Sequence, residues 1–131
     1  MVDALVDDPP NSELLTLLAS DDLHAPSLLD FEVAGALRGH ALAGKLPRRR
    51  LLEAVADFSG LQIVRHQMTD LIAHILELRR SFTVYDASYV VLAQALDAPL
   101  VTADRKLTEA RRRGVDVRVV GRCGKGASRS A

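Results

Sequence analysis

Aromatic side chains are scarce in this chain of 131 residues: they make up 4% of it, and tryptophan is absent. A surface that binds single-stranded nucleic acid by stacking bases needs several such rings, so the composition argues against that kind of binding module. The single cysteine, Cys123, has no partner for an internal disulfide and favours a reducing compartment. The formal net charge is zero, so the chain lacks the long-range attraction typical of non-specific DNA-binding proteins.

Long apolar runs are absent as well. None approaches the roughly 20 residues needed to span a membrane. Asp3, Asp7 and Asp8 occupy the region where a secretory signal carries basic residues, so we expect a cytoplasmic protein. The four histidines lack the spacing of a zinc protease, and the chain contains no P-loop and no nucleophile-elbow motif. These enzyme classes therefore find no support in the sequence.

Helical and strand patterns alternate along the chain, which has the apolar and charged content of a globular domain. This alternation predicts an α/β fold in which helices cover both faces of a central parallel sheet. The predicted strands lie at residues 23–25, 61–64, 99–102 and 115–120. The predicted helices lie at residues 12–20, 27–43, 47–58, 69–80, 83–96 and 104–113. The buried positions predicted for the second helix are Leu29, Val33, Ala36, Leu37 and Leu42. We predict one domain over residues 1–120 and a disordered tail over residues 121–131.

Three acidic residues, Glu32, Asp86 and Asp104, stand near the starts of predicted helices. Asp104 follows an apolar strand and so falls at the carboxyl edge of the sheet, where α/β proteins bind ligands. Apolar neighbours surround Asp86 and flank Glu32, so we expect both acids to point inward. Carboxylates that converge in a buried place repel one another unless a cation binds them. The three acids are therefore candidate ligands for Mg²⁺, an ion suited to phosphodiester hydrolysis.

Each acid also has an ordinary structural explanation. Asp86 stands three residues after Thr83, as in a capping box. Asp104 has the right position to cap the helix that follows it. Glu32 fits an exposed position of an amphipathic helix. Local structure alone can therefore account for each acid taken singly, and the combination of the three favours a site.

Three segments of the chain carry a family resemblance: Leu28–Arg38, Thr83–Ala93 and Ala98–Leu107. They resemble the PIN-domain ribonucleases and, among them, the VapC toxins of bacterial type II (VapBC) toxin–antitoxin systems. The resemblance covers roughly residues 1–120. Its most specific feature is the spacing of 18 residues between the aspartates of the second and third segments.

The resemblance implies a Mg²⁺- or Mn²⁺-dependent endoribonuclease with a PIN-like three-layer fold. Glu32, Asp86 and Asp104 match the second, third and fourth acids of the family, which are catalytic and bind the metal. Thr102 matches a hydroxyl that supports the site, and Arg38 matches a basic residue that contacts RNA phosphate or holds the acids. The implied partners are an RNA substrate, a VapB-type antitoxin and a second copy of the chain, without a membrane.

The start of the chain departs from the family pattern, which opens with a central apolar strand ending in the first acid. Met1–Asp3 is too short for a strand of about five residues, so we expect that Asp3 is not a ligand. A missing central strand would leave a gap in the sheet. Either translation begins upstream of Met1, or the chain is an impaired PIN-like protein that only binds antitoxin or RNA. A receiver-like domain is a further alternative, although Asp7-Asp8 does not follow a strand.

Overall fold

The computed structural model describes residues 22–120. The predictions for Asp3, for the helix at residues 12–20, for Cys123 and for the tail at residues 121–131 lie outside this range. The described residues belong to two compact units. The first unit contains Leu29–Val64, and the second contains Arg65–Val120 together with His24–Leu28. The domain boundaries proposed from the sequence stay a prediction.

Helices and strands follow one another in the predicted order. The α-helices are α1 (Leu29–Leu42), α2 (Arg48–Ser59), α3 (Ile72–Glu77) and α4 (Val84–Leu96). The strands are β1 (Leu23–Pro26), β2 (Ile63–His66), β3 (Leu100–Thr102) and β4 (Val117–Val119). Two 3₁₀ helices lie at Thr69–Leu71 and Arg105–Arg113. The α/β fold class is therefore confirmed, whereas two segments predicted as α-helix begin or remain as 3₁₀ helix.

The described strands form two sheets of two strands each, β1 with β2 and β3 with β4. Strand β3 pairs in parallel with β4, and Leu100 lies opposite Val117 while Thr102 lies opposite Val119. Within residues 22–120, β1–β2 and β3–β4 are separate ladders, and the gap expected in the sheet stays a prediction. Parallel pairing requires a crossover, which the 3₁₀ helix Arg105–Arg113 supplies.

The first unit is built from α1 packed against α2. Leu29, Val33 and Leu37 are spaced by four residues and form one buried face of α1. Leu42, which we predicted to be buried, is 70% exposed. The five residues that separate Leu42 from Leu37 turn it about 140° away from the buried face. Gly44 follows with a φ of +76°, the left-handed conformation that favours glycine after a helix.

The second unit has its core around α4, which contacts α3, β3 and the 3₁₀ helix Arg105–Arg113. Ala87 and Val90 are fully buried, and Leu100, Ala110 and Val117 join the same apolar cluster. Because α4 buries residues on more than one side, its position relative to β3 is fixed by packing. This packing decides where the acidic residues at the ends of α4 and β3 lie. Within residues 22–120, no helix is both long and apolar enough to cross a membrane.

Thr83 fixes the start of α4. Its backbone is extended, with φ −63° and ψ 162°, and its side-chain Oγ1 accepts a hydrogen bond of 3.1 Å from the backbone N–H of Asp86. We predict that Thr83→Ala lowers the free energy of unfolding by about 1 kcal/mol, because that N–H loses its partner. Urea denaturation measures the change. Thr83→Ser keeps an acceptor and should lose clearly less; equal losses in the two variants would contradict the capping role.

Candidate active site

Asp86 lies in the first turn of α4, at the positive end of the helix dipole, which favours a negative side chain there. Its backbone N–H is capped by Thr83. A capping box would also require the Asp86 carboxylate to accept a hydrogen bond from the backbone of Thr83. Among the described residues, no hydrogen bond or ion pair reaches that carboxylate. Capping therefore explains the amide of Asp86, whereas no contact within residues 22–120 explains the carboxylate of this half-buried residue.

Asp104 lies just beyond β3 and caps the 3₁₀ helix that follows. Its Oδ1 accepts a hydrogen bond of 2.9 Å from the backbone N–H of Lys106, and its Oδ2 lies 3.9 Å from the Lys106 Nζ. The lysine side chain is 83% exposed, so this ion pair contributes little stability, about 0–1 kcal/mol. The predicted capping role is thus confirmed. One carboxylate oxygen caps the helix, and the other faces an exposed lysine.

Thr102, the predicted supporting residue, holds the backbone of Asp104. Its Oγ1 accepts a hydrogen bond of 3.0 Å from the Asp104 N–H. Because Thr102 is also the last residue of β3, the hydroxyl links the position of Asp104 to the ladder with β4. Lys106 was not among the residues predicted for the site. Its position two residues after an aspartate that caps a helix could have indicated the contact.

The lengths of α4 and β3 predict that Asp86 and Asp104 lie at the same end of this packed pair. A turn of three residues joins the two elements, so α4 and β3 run in opposite directions. Asp86 stands 11 residues before Asp97 at the end of α4, a distance of about 16 Å along a helix. Asp104 stands five residues after Pro99, also about 16 Å along an extended chain. The spacing of 18 residues therefore predicts a similar depth for the two aspartate backbones.

Glu32 has a different setting from the one that we expected. It lies in the first turn of α1 and is exposed, and its neighbour Phe31 is 80% exposed. The prediction that Glu32 points inward is therefore wrong. Only Val33 of the flanking apolar residues belongs to the buried face of α1. Glu32 lies in the first unit and the two aspartates in the second, so its role as a third acid of the site stays a prediction.

Arg38 is exposed on the same helix as Glu32. The six residues between them correspond to about 9 Å along the helix axis and a rotation of about 120°. The two side chains are therefore not neighbours on one face of α1, since helical neighbours are three or four residues apart. Of the two roles predicted for Arg38, this geometry favours contact with a phosphate over contact with the acid.

The described residues also bear on which metal ion fits. Within residues 22–120, no group of three or more His, Cys, Asp or Glu side chains is arranged to hold a metal. Asp86 and Asp104 together supply oxygen donors only. Mg²⁺ is commonly bound through one or two carboxylates, with waters and substrate phosphates completing its shell. The pair Asp86–Asp104 therefore fits Mg²⁺ that is bound partly through phosphate, and it does not fit a closed zinc site.

Comparison with known proteins gives the family of the chain. The PIN domain matches residues 1–113, which is most of the chain, so the chain belongs to the PIN-domain family.

Several curated relatives are VapC ribonucleases. Ribonuclease VapC9 of Mycobacterium tuberculosis is 39% identical over 93 residues, which are 71% of this chain and 73% of that protein. Ribonuclease VapC1 of the same organism is 37% identical over 112 residues, 84% of each chain. Ribonuclease VapC3 of Pyrobaculum aerophilum is 35% identical over 96 residues, 69% of this chain and 72% of that protein. Within the PIN-domain family the chain thus groups with the VapC toxins, which are nucleases, and the predicted resemblance is confirmed.

Proposed function

We propose that the chain is a Mg²⁺- or Mn²⁺-dependent endoribonuclease and the toxin of a type II toxin–antitoxin system. The proposal is supported by the lengths of α4, the turn and β3, from which we expect Asp86 and Asp104 to return to one end of this unit. Two aspartate carboxylates that approach one another would supply the oxygen ligands that a cation for phosphate chemistry requires. The VapC ribonucleases among the relatives indicate RNA as the substrate.

The residues have distinct roles in this proposal. A divalent ion held by these residues would supply an activated water for attack on the phosphodiester and would offset the negative charge that develops there. Asp86 is the principal ligand, because its carboxylate has no structural hydrogen bond within the described residues. Asp104 is the second ligand, held in place by Thr102 and by the amide of Lys106. Glu32 is the third acid, acting directly or through water.

RNA binding would rest on phosphate contacts and on RNA shape, because aromatic residues are few. Arg38 and the exposed Arg48 are candidates for these contacts. The arginines of the last 3₁₀ helix are less suited to them. Arg111 donates a hydrogen bond of 2.8 Å to the carbonyl oxygen of Val117. Arg113 likewise donates one of 3.0 Å to a side-chain hydroxyl, so both guanidinium groups already hold the fold.

The proposed partners are a VapB-type antitoxin and a second copy of the chain, in the cytoplasm. Val84 and Tyr85, which precede Asp86, are 56% and 62% exposed. Exposed apolar side chains next to a candidate site are typical of a surface that a protein partner covers. An antitoxin that covers Val84 and Tyr85 would also block access to Asp86. The alternative function, binding of antitoxin or RNA without catalysis, rests on the absence of a three-ligand cluster within residues 22–120.

Metal removal tests the proposal. The purified chain is mixed with a mixed-sequence RNA in the presence of Mg²⁺, Mn²⁺, Ca²⁺ or a chelator, and cleavage is followed by gel electrophoresis. We expect Mg²⁺ and Mn²⁺ to support cleavage and the chelator to reduce it by about 100-fold or more, because the ion supplies several kcal/mol of stabilisation. We expect Ca²⁺, which is larger and less strict in geometry, to support it poorly.

Two outcomes would count against this function. Cleavage that persists in the chelator would show that the metal is not required. A chain that binds a VapB-type antitoxin but cleaves no RNA with either Mg²⁺ or Mn²⁺ would support the impaired form instead.

A further inference from the structure

Two histidines from different strands contact each other, and neither strand carries Asp86 or Asp104. His24 lies on β1 and His66 lies on β2, 42 residues later in the chain. The Nδ1 of His24 lies 2.8 Å from the Nε2 of His66. The ring centroids are 5.1 Å apart, and the ring planes are inclined by 35°. Each imidazole therefore directs one nitrogen toward the other ring.

The strands hold this pair in place and leave it accessible to solvent. The carbonyl oxygen of His66 accepts a hydrogen bond of 2.9 Å from the backbone N–H of Ser27, just after β1. Both histidine backbones are thereby fixed by pairing between β1 and β2. His24 is exposed and His66 is half-buried, so an ion can reach the two nitrogens from solvent. Ligands that are already placed lose little conformational freedom on binding, which strengthens chelation.

We propose that His24 and His66 form a chelating site for a divalent transition-metal ion, Cu²⁺ or Ni²⁺. With metal–nitrogen bonds of about 2.0 Å, two nitrogens at a right angle are separated by about 2.8 Å and at a tetrahedral angle by about 3.3 Å. The observed separation of 2.8 Å is nearer to the right angle. Right angles belong to the square-planar and tetragonal sites of Cu²⁺ and Ni²⁺, and imidazole suits both ions. The two nitrogens share a hydrogen bond in the metal-free chain, so the bonded proton would move to the other nitrogen of its ring and both rings would rotate to turn two lone pairs toward one ion, with water as the remaining ligands.

This site differs in chemistry from the one proposed for catalysis. Mg²⁺ prefers oxygen ligands, so it competes poorly for two imidazoles. Conversely, the aspartates of the candidate active site supply only oxygen. An ion held by His24 and His66 would link β1 to β2, and it would stabilise the folded chain by binding to it in preference to the unfolded chain. The site therefore does not depend on the proposed nuclease function.

Calorimetric titration with Cu²⁺ and with Ni²⁺, supported by electron paramagnetic resonance of the Cu²⁺ complex, tests the site. The full chain is used without a histidine tag and with Cys123→Ser, which removes the thiol as a competing ligand. We expect binding of one ion per chain, a spectrum with two coordinated nitrogens, and no loss of affinity in excess Mg²⁺. His24→Ala and His66→Ala should each lower the affinity at least tenfold, and His66→Gln provides a second variant at the half-buried position.

His40→Ala and His74→Ala are the matched controls, since each removes an imidazole from outside the pair. These two variants should bind as tightly as the parent chain. Equal affinity of His24→Ala, His66→Gln and the parent would overturn the proposal. Equal losses in all four alanine variants would overturn it too, because they would indicate scattered binding to surface histidines.

Discussion

Asp86→Asn should reduce metal-dependent RNA cleavage by about 100-fold or more, because it removes a proposed metal ligand, while the chain loses only the weak interaction of that charge with the helix dipole. The substitution keeps the backbone N–H that Thr83 caps. It removes a negative charge that forms no hydrogen bond or ion pair with the described residues. We therefore expect a change in the free energy of unfolding within about 0.5 kcal/mol. Cleavage rates with Mg²⁺ and urea denaturation of the same samples measure both effects.

Asp97→Asn is the matched control, since it makes the same chemical change at the other end of the same helix. Asp97 has a φ of 49°, in the left-handed region that asparagine accepts well. This variant should cleave RNA at the rate of the parent. If Asp86→Asn and Asp97→Asn cleave equally fast, Asp86 has no part in catalysis and the proposed site is wrong.

Asp104→Asn completes the test of the pair. Asparagine caps a helix about as well as aspartate, so the bond from Lys106 N–H can be retained. We expect a loss of cleavage with little loss of stability. A loss of stability that accounts for the loss of activity would assign Asp104 to the fold alone.

The sequence predicted best those features that depend on local chemistry. Thr83 and Asp104 were expected at helix starts, and both accept hydrogen bonds there from backbone N–H groups. Gly44 and Gly114 directly follow the predicted helices at residues 27–43 and 104–113, and both have positive φ. Caps and stops are decided within a few residues of the chain, so one sequence is enough to locate them. The order of helices and strands followed from them.

Features that depend on distant residues were predicted less well. Apolar flanks led us to expect Glu32 to be buried, but Phe31 is itself exposed. An apolar residue of a helix is buried only if it lies on the face that packs against another element. The sequence of the helix alone does not identify that element. The pairing of His24 with His66 depends on strand register and follows no motif spacing. The sequence offered one signal for this pair. His24 lies in the predicted strand at residues 23–25, and His66 follows the predicted strand at residues 61–64 by two residues.

In the candidate site, too, the relative positions of residues close in sequence were easier to predict than those of distant residues. Asp86 and Asp104 are joined by one helix, one turn and one strand, so their spacing predicts that they return to the same end. Glu32 has no such local connection to either aspartate, and it belongs to the other unit. The sequence therefore predicts the pair on physical grounds, while the third acid depends on the family resemblance. The Glu32→Gln variant, compared with Asp86→Asn, would measure how much that resemblance contributes.

Phe82→Ala should have the largest effect on stability. Phe82 is 9% exposed and belongs to the apolar cluster of the second unit, and its backbone N–H bonds to the carbonyl oxygen of Leu78. Removing the ring leaves a cavity beside α4, so we expect a loss of about 3–5 kcal/mol in urea denaturation. That is a large part of the 5–15 kcal/mol typical of whole domains, and the chain should be partly unfolded at 37 °C.

Phe31→Ala makes the identical side-chain deletion at a position that is 80% exposed, so its loss should stay within about 0.5 kcal/mol. Comparable losses in the two variants would contradict the packing around α4. Cleavage separates this effect from catalysis. Phe82→Ala should lower cleavage by unfolding the segment that carries Thr83 and Asp86. Cooling or a bound antitoxin should restore the fold. Only cooling should also restore cleavage, because the proposed antitoxin blocks access to Asp86. Asp86→Asn should stay inactive at every temperature, because its fold was never lost.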